Sequence, residues 1–154
     1  MNNERGTFKN EGNAKQLVSF LGIQYGNITP TDLDAMIEYK NTGFVLIETK
    51  YQQDFYQEKG QQLAHERMVD TLWVAKKPSV LIFASHRAIK PNSILLFSCP
   101  VTKYRYAGKW HEINGWTVKQ LVDSFICHLD SLIQARQMQF NAQDADAPKG
   151  LLFT

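Results

Sequence analysis

The chain has 154 residues, 44% of them hydrophobic and 12% aromatic, with a formal net charge of +2. This length suits one domain with a hydrophobic core, so we expect a single domain over residues 1–154, with flexible ends at about 1–10 and 141–154. No apolar run approaches the roughly 20 residues of a membrane span, and the polar N-terminus lacks the apolar part of a signal peptide. We therefore expect a cytoplasmic protein without a membrane partner. The small net charge does not by itself indicate nucleic-acid binding.

Hydrophobic periodicity predicts an α/β (α+β) fold. The predicted elements are, in chain order, a helix at 14–21, strands at 34–40 and 43–51, a helix at 58–77, strands at 79–86, 94–106 and 109–113, and a helix at 117–137. Gly22 and Pro78 supply stop signals for the first two helices, and Thr117 is the expected cap of the last. Cys99 and Cys127 have no metal-binding or redox spacing, which indicates reduced thiols.

Residues 29–51 carry the most unusual charge pattern. Asp34 opens one predicted strand, and Glu48 and Lys50 end the next, directly after the apolar run at 43–47. Because side chains at i and i+2 of a strand share a face, Glu48 and Lys50 project together. Charge at the end of a buried strand is costly unless it is paired or binds a metal. The pattern therefore predicts a hairpin that carries a metal site. The alternative is a pair of surface acids with Lys50 as an ordinary ion-pair partner.

The segment LDAMIEYKNTGFVLIETK, residues 33–50, resembles the Asp strand, turn and Glu-X-Lys strand of the PD-(D/E)XK nuclease superfamily. GQQLAHER, residues 60–67, is similar to the glutamine-bearing helix of phage and RecB-like members. The likeness covers roughly residues 11–86 and points to small phage-encoded and Holliday-junction-resolvase-like members. It implies a restriction-endonuclease-like αβββαβ core with a mixed sheet, followed here by a β-hairpin and a long helix.

Phosphodiester hydrolysis needs a hard cation, and Mg²⁺ prefers carboxylate oxygens and water. Asp34 and Glu48 would supply the carboxylates, and the resemblance adds the Thr49 backbone carbonyl; Mn²⁺ should substitute. Lys50 would orient or deprotonate the attacking water, or stabilise developing charge. A glutamine at the start of the following helix, Gln61, is a further catalytic candidate. The Pro-Asp pair of the family is absent, because Asp34 follows Leu33, so Asp32 stays open as the alternative metal ligand.

The predicted hairpin at 103–110 interleaves cations with aromatic residues, a pattern that proteins use to stack on unpaired bases and to hold phosphates. Lys103, Arg105 and Lys109 are therefore candidate DNA-binding residues. The alternative is a two-faced hairpin with aromatics inward and cations outward. His65 and His86 are candidate phosphate contacts, with packed or surface histidines as the alternative.

These patterns and the resemblance together predict a Mg²⁺-dependent DNA nuclease. The resemblance alone implies an endonuclease on branched or structured DNA in phage or mobile-element replication and recombination. An exonuclease or a restriction-like nuclease would share the same motifs. A nuclease-fold module that binds DNA or protein without catalysis, and a structural protein, are the alternatives outside the enzyme class. Ile126 and Ile133 give the last helix a second apolar side, which suits either a homodimer or a helix that contacts two layers.

Overall fold

The computed structural model describes residues 22–23, 25–28, 30–52, 59–88 and 94–146, with side chains up to residue 140. The chain divides into two compact units, residues 1–31 and 32–154. In the first unit, Tyr25 and Ile28 form an antiparallel bridge across a tight turn. The predicted helix at 14–21 lies outside the described residues. The second unit contains the sheet and helices given below.

The second unit has an α+β fold built on one five-stranded mixed sheet. The described elements are β1 (Ala35–Tyr39), β2 (Gly43–Tyr51), α1 (Lys59–Val74), β3 (Ser79–His86), a short 3₁₀ helix (Leu96–Ser98), β4 (Val101–Tyr106), β5 (Lys109–Glu112) and α2 (Val118–Asp146). The strand order is β1-β2-β3-β4-β5, and only β2 and β3 run parallel. The prediction of a mixed sheet followed by a hairpin and a long helix is confirmed.

The β1–β2 hairpin turns through two residues with positive φ, Lys40 (48°) and Asn41 (52°). The Thr42 N–H donates to the Tyr39 carbonyl at 2.8 Å and closes the turn. This left-handed geometry matches the natural twist of paired strands, and asparagine tolerates it better than most residues. The connection from β2 to β3 passes through α1, as a parallel pair requires.

The two central strands, β2 and β3, are apolar on both faces because a helix covers each side. On the α2 side the buried cluster is formed by Val45, Ile47, Val80, Ile82, Ala84, Cys99, Val101, Val118, Leu121, Phe125 and Leu129. The α1 side has a smaller cluster of Leu46, Val69, Leu81 and Phe83. The apolar core therefore lies mainly under α2, and the α1 side leaves room for polar groups.

Helix α2 begins with a capping box. The Thr117 N–H donates to Gln120 Oε1 at 2.9 Å, and the Gln120 N–H donates to Thr117 Oγ1 at 3.4 Å. Each bond satisfies an N–H that the first helical turn leaves without a partner. The predicted cap at Thr117 is confirmed.

The strand predicted over residues 94–106 is wrong in its first half. Residues 96–98 form the 3₁₀ helix, and strand β4 begins only at Val101. The Leu95 and Leu96 carbonyls accept the N–H groups of Ser98 and Cys99 at 3.1 Å, so this segment satisfies its hydrogen bonds locally. Pro100 then lacks the N–H that a sheet ladder needs.

Neither described helix, α1 or α2, combines the length and apolar character that a membrane crossing requires.

Gly43 begins β2 where the backbone passes close to its neighbours. A Cβ at this position would overlap the Pro78 carbonyl oxygen and would lie 2.9 Å from Leu129 Cδ2. We predict that Gly43→Ala lowers the free energy of unfolding by about 1–3 kcal/mol, measured by urea denaturation. Gly60→Ala is the control, because no heavy atom lies within 4 Å of a Cβ there. Equal unfolding free energies for the two variants would contradict the prediction.

Candidate functional site

The predicted site lies on the α1 side of the sheet, at the C-terminal end of β2. Leu46 packs in the α1-side cluster, so strand alternation places Glu48 and Lys50 on the same side. Strand β2 is buried as far as Thr49, and its last two residues are half-buried. The charged end of the strand therefore emerges from the core beside the first turn of α1.

Glu48 is a buried acid with one paired oxygen and one unpaired oxygen. Its residue exposure is 2%, and Oε1 lies 2.8 Å from Lys50 Nζ. The second oxygen, Oε2, has no hydrogen-bond partner among the described residues. Burial raises the pKa of Glu48, and this outweighs the opposing hydrogen bond from Lys50, while the nearby Asp34 charge raises the pKa further. A buried carboxylate oxygen without a protein partner is rare, and a bound water or ion, strain, or a catalytic role can account for it.

Lys50 is held between two groups on different elements. Its side chain is 19% exposed, and Nζ contacts Glu48 Oε1 and donates to Gln61 Oε1 at 2.6 Å. The predicted candidates Glu48, Lys50 and Gln61 are thus in direct contact.

The two acids left open by the sequence occupy different places. Asp34 Oδ2 accepts hydrogen bonds from the Thr49 N–H at 2.7 Å and from Thr49 Oγ1 at 2.6 Å, which ties the start of β1 to the end of β2. Asp32 is linked to α1 instead, because Gln61 Nε2 donates to Asp32 Oδ1 at 3.1 Å and to its backbone oxygen at 3.2 Å. Both acids therefore border the Glu48–Lys50 pair, Asp34 through the β2 backbone and Asp32 through Gln61.

His65, a candidate phosphate contact in the sequence, is a packed histidine beside the site. It is 2% exposed, and its Nε2 lies 2.9 Å from the Asp32 carbonyl oxygen. A carbonyl only accepts, so Nε2 carries a proton; Nδ1 has no hydrogen-bond partner among the described residues. His65 follows Gln61 by four residues and so shares its helix face. His65 and Gln61 together hold the loop before β1 against α1.

Two of the predicted DNA-binding cations contact α1. Lys103 Nζ lies 4.3 Å from the centroid of the Trp110 ring and donates to Gln62 Oε1 at 3.1 Å. Arg105 makes two hydrogen bonds to Asp70, at 2.9 and 2.7 Å. Burial lowers the pKa of Lys103. Only the third cation, Lys109, is fully on the surface.

The residues around Glu48 fit a hard cation that keeps part of its water. Among the described side chains, no group of three or more His, Cys, Asp or Glu has the spacing of a complete protein-chelated metal site. Mg²⁺ is usually held by one or two carboxylates with several waters, so it does not need such a group. The unpaired Oε2 of Glu48, with a second carboxylate close enough to raise its pKa, is the donor set that Mg²⁺ takes.

A scan of protein-family models, a search of curated proteins and a search of solved structures each found no match for this chain.

The raised pKa of Glu48 predicts a specific pH dependence of stability. The folded state binds this proton more tightly than the unfolded chain, so the free energy of unfolding falls as pH rises from about 4.5, the ordinary glutamate value, to the raised pKa. We expect the free energy of unfolding of Glu48→Gln to lack this decrease with pH. Urea denaturation in EDTA from about pH 4.5 to 8 gives the measurement. Glu112→Gln, on the exposed end of β5, should keep the wild-type profile. If the unfolding free energies of Glu48→Gln and wild type vary with pH in the same way, the pKa of Glu48 is not raised.

Proposed function

We propose that this chain is a metal-dependent DNA nuclease of the PD-(D/E)XK type. The observation that carries the proposal is the buried Glu48 carboxylate, which pairs with Lys50 through one oxygen and has no partner among the described residues for the other. A merely structural ion pair gains nothing from an unpaired buried oxygen, whose desolvation costs about 1–3 kcal/mol or more. A metal-binding carboxylate needs such an oxygen.

In this proposal Glu48 Oε2, Asp34 and the Thr49 backbone carbonyl hold Mg²⁺, with Mn²⁺ able to substitute. When bound, the cation neutralises charge on the phosphoryl group and lowers the pKa of a bound water. Asp34 uses only Oδ2 in its bonds to Thr49, so Oδ1 is the oxygen that would reach the cation. The same two bonds keep this carboxylate in place before the metal binds.

Lys50 is the proposed group that contacts the reacting phosphate or the attacking water. Its Nζ can donate three hydrogen bonds, and Glu48 and Gln61 orient it. An ammonium held in this way stabilises negative charge that develops on phosphoryl oxygens without having to reorganise. Gln61 acts on Lys50 through its side-chain oxygen and on the Asp32 loop through its nitrogen, so we assign it a positioning role.

The proposed substrate is branched or otherwise structured DNA, cut endonucleolytically during phage or mobile-element replication and recombination. Its support is the resemblance of residues 33–50 and 60–67 to Holliday-junction-resolvase-like and phage members of the superfamily. Lys109 is exposed on β5, but it pairs with Tyr106 near the start of β3 and so lies toward the opposite end of the sheet from Lys50. Lys103, which pairs with Phe83 beside Glu48, is the candidate cation nearer the proposed site.

Cleavage assays test the enzyme and its site separately. We expect the wild type to cut at least one of supercoiled plasmid, linear duplex or a four-way junction with Mg²⁺ or Mn²⁺, and none in EDTA. Lys50→Ala and Glu48→Gln should each lower the rate by about 10²-fold or more, because each removes a group that acts on the reacting atoms. Gel-resolved product formation is the measurement.

Lys119→Ala and Glu112→Gln are matched controls, since they make the same chemical changes at exposed positions on α2 and β5. They should cut at the wild-type rate. If no substrate is cut with either metal, the nuclease proposal fails, and salt-dependent DNA binding would then favour an inactive nuclease-fold module. If cutting survives both Lys50→Ala and Glu48→Gln, the site assignment fails and the enzyme proposal stands.

Metal binding to Glu48 predicts thermal stabilisation without any substrate. At a Mg²⁺ or Mn²⁺ concentration about ten times Kd, binding adds about 1.4 kcal/mol and raises Tm by about 3–6 °C. Glu48→Gln should abolish this shift, and Glu112→Gln should retain it. Differential scanning calorimetry in metal and in EDTA gives the measurement.

The same assay discriminates between the two remaining acids. We expect Asp34→Asn to lose the metal-induced shift and Asp32→Asn to keep most of it. The reverse result would transfer the ligand role to Asp32.

A further inference from the structure

A cavity of about 420 Å³ opens at the C-terminal end of β3, beside the proposed catalytic site. Its wall is formed partly by the end of β3 and the residues after it, and partly by the segment around the 3₁₀ helix. The volume lies within the range of about 300–1,000 Å³ that is typical of small-molecule sites. None of the candidate catalytic residues lines it.

The parallel pairing of β2 and β3 sets the distance between the cavity and the site. Lys50 pairs with Ser85, and Tyr51 pairs with His86. Paired positions on neighbouring strands lie about 4.8 Å apart, and Ser85 and His86 both line the cavity. Leu81 and Phe83 pack on the α1 side and Ala84 packs on the α2 side. Alternation therefore puts the Ser85 side chain on the side of Lys50 and the His86 side chain on the side of α2. The cavity therefore shares the C-terminal edge of the β2–β3 pair with the proposed site, and its Cys99 wall belongs to the α2-side cluster.

The cavity has a cation at its rim, and its wall contains a polar atom without a hydrogen-bond partner among the described residues. Arg87 is exposed, and its Nε donates to Gln52 Oε1 at 2.6 Å, which orients the guanidinium and leaves its terminal nitrogens as donors. The buried Nδ1 of His86 has no hydrogen-bond partner among the described residues. These groups suit an anion at the rim and a polar heterocycle edge inside.

Apolar groups form the other side of the cavity. Ile94 is 43% exposed and Leu95 is 60% exposed, and Pro100 lies next to them in the wall. Large apolar side chains at this exposure offer a surface for the flat face of a base. A base that is still paired and stacked cannot enter, whereas an unpaired base can be turned out of the stack at a cost of a few kcal/mol or less.

We propose that this cavity receives one unpaired nucleotide of the DNA substrate, the one next to the cleaved phosphodiester. Its base packs against Ile94 and Leu95, its polar edge meets His86 and Ser85, and its phosphate binds Arg87. The inference rests on the proposed nuclease function and adds a physical basis for selecting DNA with unpaired bases. A perfect duplex would leave the cavity unfilled.

Binding of deoxynucleoside 5′-monophosphates in EDTA tests the cavity without cleavage. We expect saturable binding to the wild type, followed by calorimetry or by NMR shifts of residues around the cavity. Arg87→Ala should weaken binding at least tenfold by removing the phosphate contact, and Ala88→Trp, which fills the cavity, should do the same. Arg136→Ala removes the same charge from an exposed position on α2 and should bind as the wild type does. Arg87→Ala alone decides the result if Ala88→Trp does not fold.

Binding to DNA provides the second arm of the experiment. In EDTA, Arg87→Ala should reduce the wild-type preference for a gapped or looped duplex over a perfect duplex, and Arg136→Ala should not. If mononucleotides do not bind the wild type, or bind Arg87→Ala equally well, the cavity proposal is overturned. Neither result involves catalysis, so the cleavage assay can succeed or fail independently of it.

Discussion

The structure of the site depends on the buried ion pair between Glu48 and Lys50 at the end of β2. An isolated ionised carboxylate in a core costs several kcal/mol even after relaxation, so Glu48 is tolerated there only with a partner. Lys50 supplies that partner two residues later on the same face, at 2.8 Å. Because its ammonium also reaches Gln61, the pair is joined to α1, and the α1 side of the sheet is organised around it.

The two faces of the sheet differ in character: the α2 side carries most of the apolar core, and the α1 side carries the polar groups of the proposed site. Helix α2 covers the larger apolar cluster and begins at a complete capping box, so that face has the features of a structural core. Helix α1 buries only His65 and Val69 and is held by polar contacts, among them the Arg105–Asp70 pair and the Lys103–Gln62 hydrogen bond. A face that already carries satisfied polar groups can hold a charged site at lower cost than an apolar core can.

The site and the cavity share one end of the sheet for a topological reason. Strands β2 and β3 are the parallel pair, so their C-terminal ends emerge together, and in open sheets with crossover helices ligands bind at that edge. Lys50 and Ser85 are paired there, and Ser85 also lines the cavity. In the proposed function this edge would hold a phosphate at the site and the adjacent base in the cavity.

The sequence by itself determined the features that depend on local spacing. Period-two alternation places Glu48 and Lys50 on one face, helical spacing predicts α1 and α2, and Thr117 predicts the cap of α2. Only the tertiary structure decided the contacts between distant parts of the chain: Gln61 and His65 reach Asp32 across 29 and 33 residues, and Arg105 reaches Asp70 across 35. The tertiary structure also has a 3₁₀ helix where the sequence predicted the start of a strand at 94, and it contains a cavity that the sequence did not predict. Local patterns specify which face a side chain occupies, but its partners across the sheet follow from packing, which no single segment encodes.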